Sequence, residues 1–479
     1  MVLLGFTLTM FLFLGIGMMS MRHSKADVSD YLLADRNISP AFAGLSAVAS
    51  NNSGFMFIGA IGFTYAYGLS AFWLLFAWIL GDYCSWLIVH RRLREQSERL
   101  NSKSISGFLS HNGTTSHRHT QIFLGVLTVI FLTLYAAAQL KAGGKALEGI
   151  LGWNGSTGIL LGMGMVALYS FAGGIRASIW TDVAQSIVML GAMGLLVIVS
   201  HTQIVPLNDI PSTLQSIHPS LVLWTPSDAS LGLIPYALGW FFAGFGGIGQ
   251  PHIIIRAMTV NSANHIPAMR RVYFSWYVLF SVFTFLVGLY ARIYFNGHDG
   301  LLFDKETALP VLSTELLSPL LVGVILASMF AATMSTADSQ VLASSASVTQ
   351  DIAPTTASNP YLYSKLTTLG VVLIAGMVAF VGPDSVFVLV TVAWGLMMTC
   401  FAPIMILRVL DRDIPFTSLM ASCAIGVLGM LGWSYGLHLG DAVFDGTIGF
   451  LLSMTLMWVF SKNNPKQTSS MNDQHDSVQ

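Results

Sequence analysis

Small hydroxyl-bearing side chains recur at helical spacing near position 335. Residues at i, i+3, i+4 and i+7 share one helix face, and four small residues have this spacing: Ala332, Ser335, Thr336 and Ser339. Hard cations bind oxygen ligands, so this face predicts a site for a cation such as sodium, provided that exposed backbone carbonyls lie opposite. The alternative is structural, because serine and threonine also bond to a neighbouring helix or to their own backbone.

The composition indicates that this face lies inside a membrane. Of 479 residues, 54% are hydrophobic and 9% are charged, whereas soluble domains carry about 25% charged residues. The apolar runs are continuous, which excludes the alternating pattern of an outer-membrane barrel. The net charge of −1 gives no attraction for nucleic acid, and no GxxxxGK[ST] motif or nucleophile–base pair indicates an ATP-driven pump or an enzyme. We therefore expect an all-α polytopic membrane protein without an organic cofactor.

Thirteen apolar runs are long enough to span a bilayer. They cover residues 2–21, 40–66, 70–90, 120–147, 156–173, 178–200, 230–257, 268–295, 318–347, 361–381, 384–408, 415–436 and 442–460. With the N-terminus outside, 18 of the 22 lysine and arginine residues fall in cytoplasmic segments, as the positive-inside rule requires. We therefore predict a multi-pass protein of the cell (cytoplasmic or inner) membrane with a cytoplasmic C-terminus. The polar tail 461–479 is predicted to be disordered.

Two of these spans contain residues that interrupt a helix. The second carries Ala-Ser-Asn-Asn-Ser-Gly at 49–54, and the seventh carries four glycines and a proline within 244–251. Freed backbone groups at membrane depth require protein, water or an ion as partners. Spans five apart run in opposite directions, which is the sign of an inverted five-helix repeat. Close helix packing with one proline kink is the alternative.

Among the carboxylates within the predicted spans, we identify three as functional candidates because a charge is costly there. Asp82 belongs to the third span, Asp182 to the sixth and Asp338 to the ninth. For Asp82 and Asp182 the alternative is a position at the membrane interface or a salt bridge to a nearby arginine.

Five stretches resemble, in one order and spacing, the sodium:solute symporter family, with the bacterial sodium/proline branch as the nearest. They are DYLLADR at 30–36, NNSG at 51–54, GGI at 173–175 with WTD at 180–182, GQPHIIIR at 249–256 and MSTADSQ at 334–340. The resemblance implies a LeuT-like core of two inverted five-helix repeats. The single transmembrane domain 1–460 would then comprise an extra helix at 1–21, repeats at 40–200 and 230–410, and two further helices at 415–460.

The resemblance also assigns roles to individual residues. The sodium ligands would be the carbonyls of Ala49, Asn52 and Ala332 and the hydroxyls of Ser335 and Thr336. A second cation site would involve Asp182, Asp338 and Ser339. The solute would be bound by Asn51, Ser53, Gly54, Ala243, Gly247 and Trp394.

Two departures from the proline branch affect the expected solute. The position of Asn51 is acidic there, and the aromatic residues of the proline pocket on the seventh span match Ala243 and Gly247. We therefore expect a pocket that is roomier and less aromatic than a proline site. Apolar residues after the first break also disfavour a hexose.

Together, these features predict a sodium-coupled symporter that imports a small organic solute by alternating access. Its partners would be that solute, Na⁺ as the coupling ion and the lipid bilayer, with no nucleic acid; the sequence carries no signal for an oligomeric state. Two alternatives stay open: proton coupling through Asp182 or Asp338, and a transporter-like sensor.

Overall fold

The computed structural model describes residues 1–20, 22, 25, 27–111, 116–226, 229–296, 304–354, 359–383 and 385–463. The predicted disordered tail lies outside the described residues from 464 onward. Its first residues are ordered, because Lys462–Asn463 (β2) pairs antiparallel with Arg412–Asp413 (β1).

Helices account for most of the described chain, and apolar stretches of helical length form them as predicted. The first ten are α1 (Val2–Ser20), α2 (Val28–Leu33), α3 (Pro40–Asn51), α4 (Gly54–Phe57), α5 (Gly59–Tyr67), α6 (Phe72–Ile88), α7 (His90–Arg99), α8 (Ile105–Leu109), α9 (Arg118–Leu151) and α10 (Gly155–Gln203).

The second half of the chain has the same character. Its helices are α11 (Ile210–Ile217), α12 (Leu233–Phe245), α13 (Pro251–Thr259), α14 (Ile266–Tyr294), α15 (Ala308–Leu316), α16 (Pro319–Ala346), α17 (Pro360–Val381), α18 (Val386–Val409), α19 (Phe416–Leu431) and α20 (Asp445–Phe460). Two helices continue as π-helical turns, at Ser347–Ile352 and Gly432–Gly436.

Nine helices in the described residues are long and apolar enough to cross a membrane, and three shorter helices are also apolar. The predicted second span is divided among α3, α4 and α5, so no single long helix represents it. The number of thirteen spans therefore stays a prediction, while a helical, multi-pass membrane protein is confirmed.

Both predicted helix breaks are present. The first lies between α3 and α4, where Asn52 has φ −87° and ψ 72°. The second lies between α12 and α13, where a 3₁₀ turn at Gly246–Gly249 is followed by the extended residue Gln250, with φ −102° and ψ 94°. Pro251 then begins α13, a position where its missing N–H leaves no unmade bond.

The predicted fifth and sixth spans, 156–173 and 178–200, form one bent helix, α10. Gly174 bends it with φ 57° and ψ −148°, a conformation that residues with a Cβ rarely adopt. A Cβ at Gly174 would also overlap the backbone carbonyl of Tyr31. The bend thus brings α10 against the α2 region.

Replacing Gly174 by alanine is expected to destabilise the fold by more than about 2 kcal/mol, because strained backbone and steric overlap add. Gly191→Ala in the same helix is the matched control, since a Cβ there meets nothing within 4 Å. Thermal unfolding of both purified variants measures the difference. Equal melting temperatures would show that Gly174 is not required for the bend.

At the centre of the molecule, α16 is enclosed on all sides. Every residue from 325 to 346 is buried, and the helix packs against α1, α3, α9 and α10. The hydroxyl-bearing face predicted around Ser335 therefore contacts protein, and α3 brings the first break to it.

A buried acidic residue, Glu306, fixes the first turn of α18. Its carboxylate accepts hydrogen bonds from the backbone N–H groups of Val386 (3.2 Å) and Phe387 (3.0 Å) and from Ser385 Oγ (2.9 Å). Lys145 Nζ lies 2.6 Å from the same carboxylate. Because the first N–H groups of a helix have no intrahelical partner, this contact holds the start of α18 in place.

Candidate cation and solute site

Two hydroxyl groups of α16 reach the carbonyl end of α3. Ser335 Oγ donates to the Ala49 carbonyl (3.1 Å), and Thr336 Oγ1 donates to the Ser50 carbonyl (3.0 Å). Both hydroxyl oxygens also lie 3.1 Å from the carbonyl of Ala332. Five oxygens from two elements therefore meet in one place, and four of them were predicted as ligands.

The charge distribution of this cluster suits a cation. The last carbonyls of a helix have no intrahelical partner and carry partial negative charge. Here α3 stops at Asn51 because the second span is broken, which exposes the carbonyls of Ala49 and Ser50 to α16. All the contributing residues are buried. A small hard cation fits this set of neutral oxygens.

Asn52 lies directly at the break and is also buried. Its Nδ2 donates to the Val48 carbonyl at 3.0 Å, whereas its Oδ1 has no hydrogen-bond partner in the described part of the chain. A buried oxygen without a protein partner calls for another one, such as water or an ion. The Asn52 carbonyl is a predicted ligand, whereas the Ser50 carbonyl, which follows Ala49 at the same helix end, was not predicted.

The predicted second cation site contains an arginine that the sequence analysis did not place there. Arg256 of α13 is fully buried. Its Nε donates to Ser46 Oγ (3.2 Å), and one terminal nitrogen donates to Ser178 Oγ (2.9 Å) and to Ser339 Oγ. That nitrogen lies 3.5 Å from Asp182 Oδ2.

The two carboxylates of this cluster accept hydrogen bonds from the three serine hydroxyls to which Arg256 donates. Ser46 Oγ donates to Asp182 Oδ2 at 2.6 Å, while Asp338 Oδ1 accepts from Ser178 and Ser339, each at 3.2 Å. Asp182, Asp338 and Ser339 therefore do come together, as predicted. The positive charge beside them is the guanidinium of Arg256, so Asp182 forms the arginine salt bridge considered as its alternative role.

The two clusters are joined through Ser50. Its hydroxyl lies 3.0 Å from Ser339 Oγ, while its carbonyl accepts the bond from Thr336. The Ser339 hydroxyl also donates to the Ser335 carbonyl at 2.6 Å. The two clusters are therefore in direct contact through Ser50 and Ser339.

A cavity of about 20 Å³, here called the inner cavity, lies beside the first break. Its polar lining residue is Asn51, and its aromatic lining residues are Phe55, Trp78, Tyr135, Tyr277 and Trp394. That the solute pocket is roomier and less aromatic than a proline site stays a prediction. It considered the seventh span alone, whereas the aromatic side chains of the inner cavity come from five other helices, α4, α6, α9, α14 and α18.

The predicted solute residues of the seventh span, Ala243 and Gly247, lie behind the side chains that line the inner cavity. The Ala243 carbonyl accepts a hydrogen bond from Trp394 Nε1 at 2.8 Å, which orients the indole. A Cβ at Gly247 would lie 3.2 Å from Asp82 Oδ1. Asn51 and Trp394 line the cavity, whereas Ala243 and Gly247 do not.

The remaining two predicted solute residues shape the first break. Ser53 Oγ accepts from the Phe55 N–H at 3.2 Å and so caps α4. The Gly54 N–H donates to Gln139 Oε1 at 3.0 Å. Neither residue lines the inner cavity; both hold the backbone of the break against α4 and α9.

Asp82 is a buried carboxylate, and none of the ion pairs among the described residues includes it, so the salt bridge considered as one alternative for it is not formed. Only 4% of the residue is exposed. Tyr273 Oη donates to Asp82 Oδ2 at 2.7 Å, and Asn51 Nδ2 donates to Tyr273 Oη at 2.7 Å. No local sequence pattern indicates these two hydrogen bonds, because each joins residues about 190 to 220 positions apart.

A larger cavity of about 310 Å³, the vestibule, lies beyond the inner cavity. Trp240 and Phe387 line the vestibule. Trp240 stacks on Trp78 with ring centroids 6.0 Å apart, and Phe387 contacts Phe55 with centroids 5.4 Å apart. Four aromatic rings therefore separate the two cavities.

Comparison with known sequences relates the whole chain to one group of transporters. The sodium:solute symporter family matches residues 31–414. The high-affinity proline transporter PutP of Bacillus subtilis is 29% identical over 95% of this chain and 96% of its own length. Sodium/proline symporter 2 of Staphylococcus saprophyticus is 30% identical over 100% of this chain and 95% of its own length.

Solved structures share the fold. A Na⁺-coupled sialic acid symporter superimposes with a TM-score of 0.77 at 18% identity, covering 97% of this chain and 99% of that chain. The nucleobase-cation-symport-1 family transporter Mhp1 superimposes with a TM-score of 0.55 at 14% identity, covering 90% of this chain and 94% of its own.

Proposed function

The chain belongs to the sodium:solute symporter family, and from that premise we propose that it imports a small organic solute with sodium by alternating access. The family and its relatives are transporters, so the chain is a multi-pass membrane transporter and not an enzyme.

One observation carries the proposal: the hydroxyls of Ser335 and Thr336 meet the carbonyl end of α3. A sodium ion among these oxygens holds α3 against α16. Because Asn51 and Phe55, which flank the same break, line the inner cavity, sodium binding orders the solute site. Sodium then raises the affinity for solute, and the solute raises the affinity for sodium by the same factor.

The proposed architecture has thirteen spans, with the N-terminus outside and the C-terminus in the cytoplasm. Within the domain 1–460, the repeats 40–200 and 230–410 form a LeuT-like inverted pair. The positions of the two breaks support this arrangement, since each lies in the first span of its repeat. In that orientation the vestibule faces outside, and solute passes from it to the inner cavity when the four aromatic rings separate.

We propose that one sodium ion is coupled to each transport cycle. Asp182, Asp338 and Ser339 would bind a second cation, but the Arg256 guanidinium supplies a positive charge to this cluster. The guanidinium neutralises one of the two carboxylates and occupies the position beside Asp182 and Ser339 that a second cation would take.

Transport by the purified protein in liposomes tests the proposal. Potassium-loaded proteoliposomes are diluted into sodium buffer that contains a radiolabelled solute. L-proline comes first because relatives carry that name; other amino acids, betaines and organic acids follow. We expect accumulation above the external concentration that requires the sodium gradient and collapses with a sodium ionophore. Accumulation that follows a pH gradient without sodium would instead establish proton coupling.

A further inference from the structure

An apolar groove of about 820 Å³, here called the lateral groove, opens on the outer surface of the helix bundle between α6, α12 and α14. Its lining includes Phe72, Tyr83, Ile234, Phe241, Phe274 and Val278. Several of these apolar side chains are exposed, with Ile234 at 73%. A large exposed apolar patch marks a surface that contacts a membrane or another protein, so this groove has an occupant outside the chain.

The second helix break explains why this surface is left uncovered. With 13 residues, α12 is only roughly 20 Å long. The chain then turns inward at Gly246–Gly249, and every residue of α13 is buried. The seventh span therefore reaches the outer surface of the bundle only along α12, and beyond its end it covers neither α6 nor α14.

An arginine lies at one end of the lateral groove. Arg270 Cζ is 5.3 Å from the ring centroid of Tyr83, which lines the groove. Positions 270, 274 and 278 of α14 are one turn apart, so Arg270 continues the face that supplies Phe274 and Val278 to the lining. None of the ion pairs formed among the described residues includes Arg270. Its charge therefore favours an anionic partner from outside the chain.

This combination of a long apolar groove and one charged end matches a lipid. From Tyr83 to Phe72 the groove follows α6 for roughly 16 Å, about the depth of the hydrocarbon of one leaflet. In the proposed topology Arg270 faces the cytoplasm, where basic pockets between membrane helices bind acidic lipid headgroups. Two copies of the chain joined here by a twofold axis along the membrane normal would bring their Arg270 side chains to one interface, which disfavours a second copy.

We propose that the lateral groove binds an anionic phospholipid of the cytoplasmic leaflet. Its phosphate lies at Arg270, and an acyl chain lies along α6 and α12 in contact with Phe274 and Phe241. This lipid site goes beyond the proposed function, since it involves neither the ion site nor the inner cavity. Because the bound lipid contacts three helices, we expect it to stabilise the folded protein.

Three compounds separate the headgroup from the acyl chains. The full chain, purified in a nonionic detergent, is titrated with dioleoyl phosphatidylglycerol, dioleoyl phosphatidylcholine or glycerol 3-phosphate. The two lipids share their acyl chains and differ in net charge, whereas glycerol 3-phosphate carries the charge without the chains. A ligand that binds the folded state raises the melting temperature by mass action. We expect the largest rise with phosphatidylglycerol, a smaller rise with phosphatidylcholine and none with glycerol 3-phosphate.

Two substitutions assign the effect to the lateral groove, with native mass spectrometry of the lipid complex as the measure of affinity. Arg270→Gln is expected to raise the dissociation constant of phosphatidylglycerol about fivefold. Lys365→Gln is its control, because Lys365 Nζ also lies against a ring, 4.5 Å from the Tyr361 centroid, but on α17, outside the groove. Ala237→Phe fills part of the groove without a change of charge and is expected to weaken binding of both lipids. Ala424→Phe, at an exposed position on α19, is the control for added bulk.

Several outcomes would overturn the inference. These are equal stabilisation by the two lipids, equal stabilisation by glycerol 3-phosphate and phosphatidylglycerol, and unchanged phosphatidylglycerol binding by Arg270→Gln. A dimer in detergent that Ala237→Phe dissociates would assign the groove to a second copy instead. If Arg270→Gln does not fold, Ala237→Phe decides, and unchanged lipid binding by that variant overturns the inference. None of these measurements requires transport or sodium, so their failure leaves the proposed function unaffected.

Discussion

Replacing Thr336 by alanine is expected to raise the sodium concentration for half-maximal uptake roughly 10- to 100-fold. The hydroxyl contacts the carbonyls of Ser50 and Ala332 and would be a ligand of the ion. Polar contacts to a charged group contribute about 1.5–3 kcal/mol, which corresponds to this change in affinity. Solute affinity measured at low sodium falls as well, because the two ligands are linked.

Uptake into proteoliposomes over a range of sodium concentrations measures this effect. Ser328→Ala is the matched control: it is a buried serine of the same helix whose hydroxyl donates to the carbonyl of Val324, one turn earlier in α16. This substitution also removes a hydroxyl group from α16, but at a position distant from the first break. If Thr336→Ala and Ser328→Ala reach half-maximal uptake at the same sodium concentration, the Thr336 hydroxyl is not a sodium ligand.

Replacing Arg256 by glutamine is expected to destabilise the protein by about 3–5 kcal/mol. The substitution leaves the Asp182 and Asp338 carboxylates buried without their positive charge, which is the costly way to break a buried ion pair. Sodium is expected to restore part of the lost stability in this variant, since an ion can then neutralise the carboxylates. Potassium, a larger ion, is expected to restore less.

Thermal unfolding in sodium and in potassium checks this result. Arg271→Gln, an exposed position on α14, is the control and is expected to melt like the wild type. The double variant Arg256→Gln/Asp182→Asn is expected to be more stable than Arg256→Gln alone, because it removes charge from both partners. A single variant that melts like the control would show that the guanidinium does not neutralise this cluster.

The breaks and the hydroxyl face were predictable because they depend on local chemistry. Asparagine, glycine and proline interrupt helices wherever they occur, and helical spacing alone places Ser335 and Thr336 on one face. The structure confirms that this face meets the end of α3.

Long-range contacts were not predictable from the same patterns. Arg256 lies near the end of the predicted seventh span, 230–257, where the sequence gives no partner for it, yet the turn of the chain after Gln250 directs it into the protein. The contact of Asp82 with Tyr273 joins residues 191 positions apart. The aromatic lining of the inner cavity likewise depends on how five helices pack, which hydrophobic periodicity does not specify.

Equilibrium binding of radioactive sodium to the purified protein tests the sodium site most directly. We expect one bound ion per chain for the wild type and for Ser328→Ala, and strongly reduced binding for the double variant Ser335→Ala/Thr336→Ala. Undiminished binding by the double variant would contradict the assignment of the ion to the contact between α3 and α16. Two ions per wild-type chain would contradict the role given to Arg256.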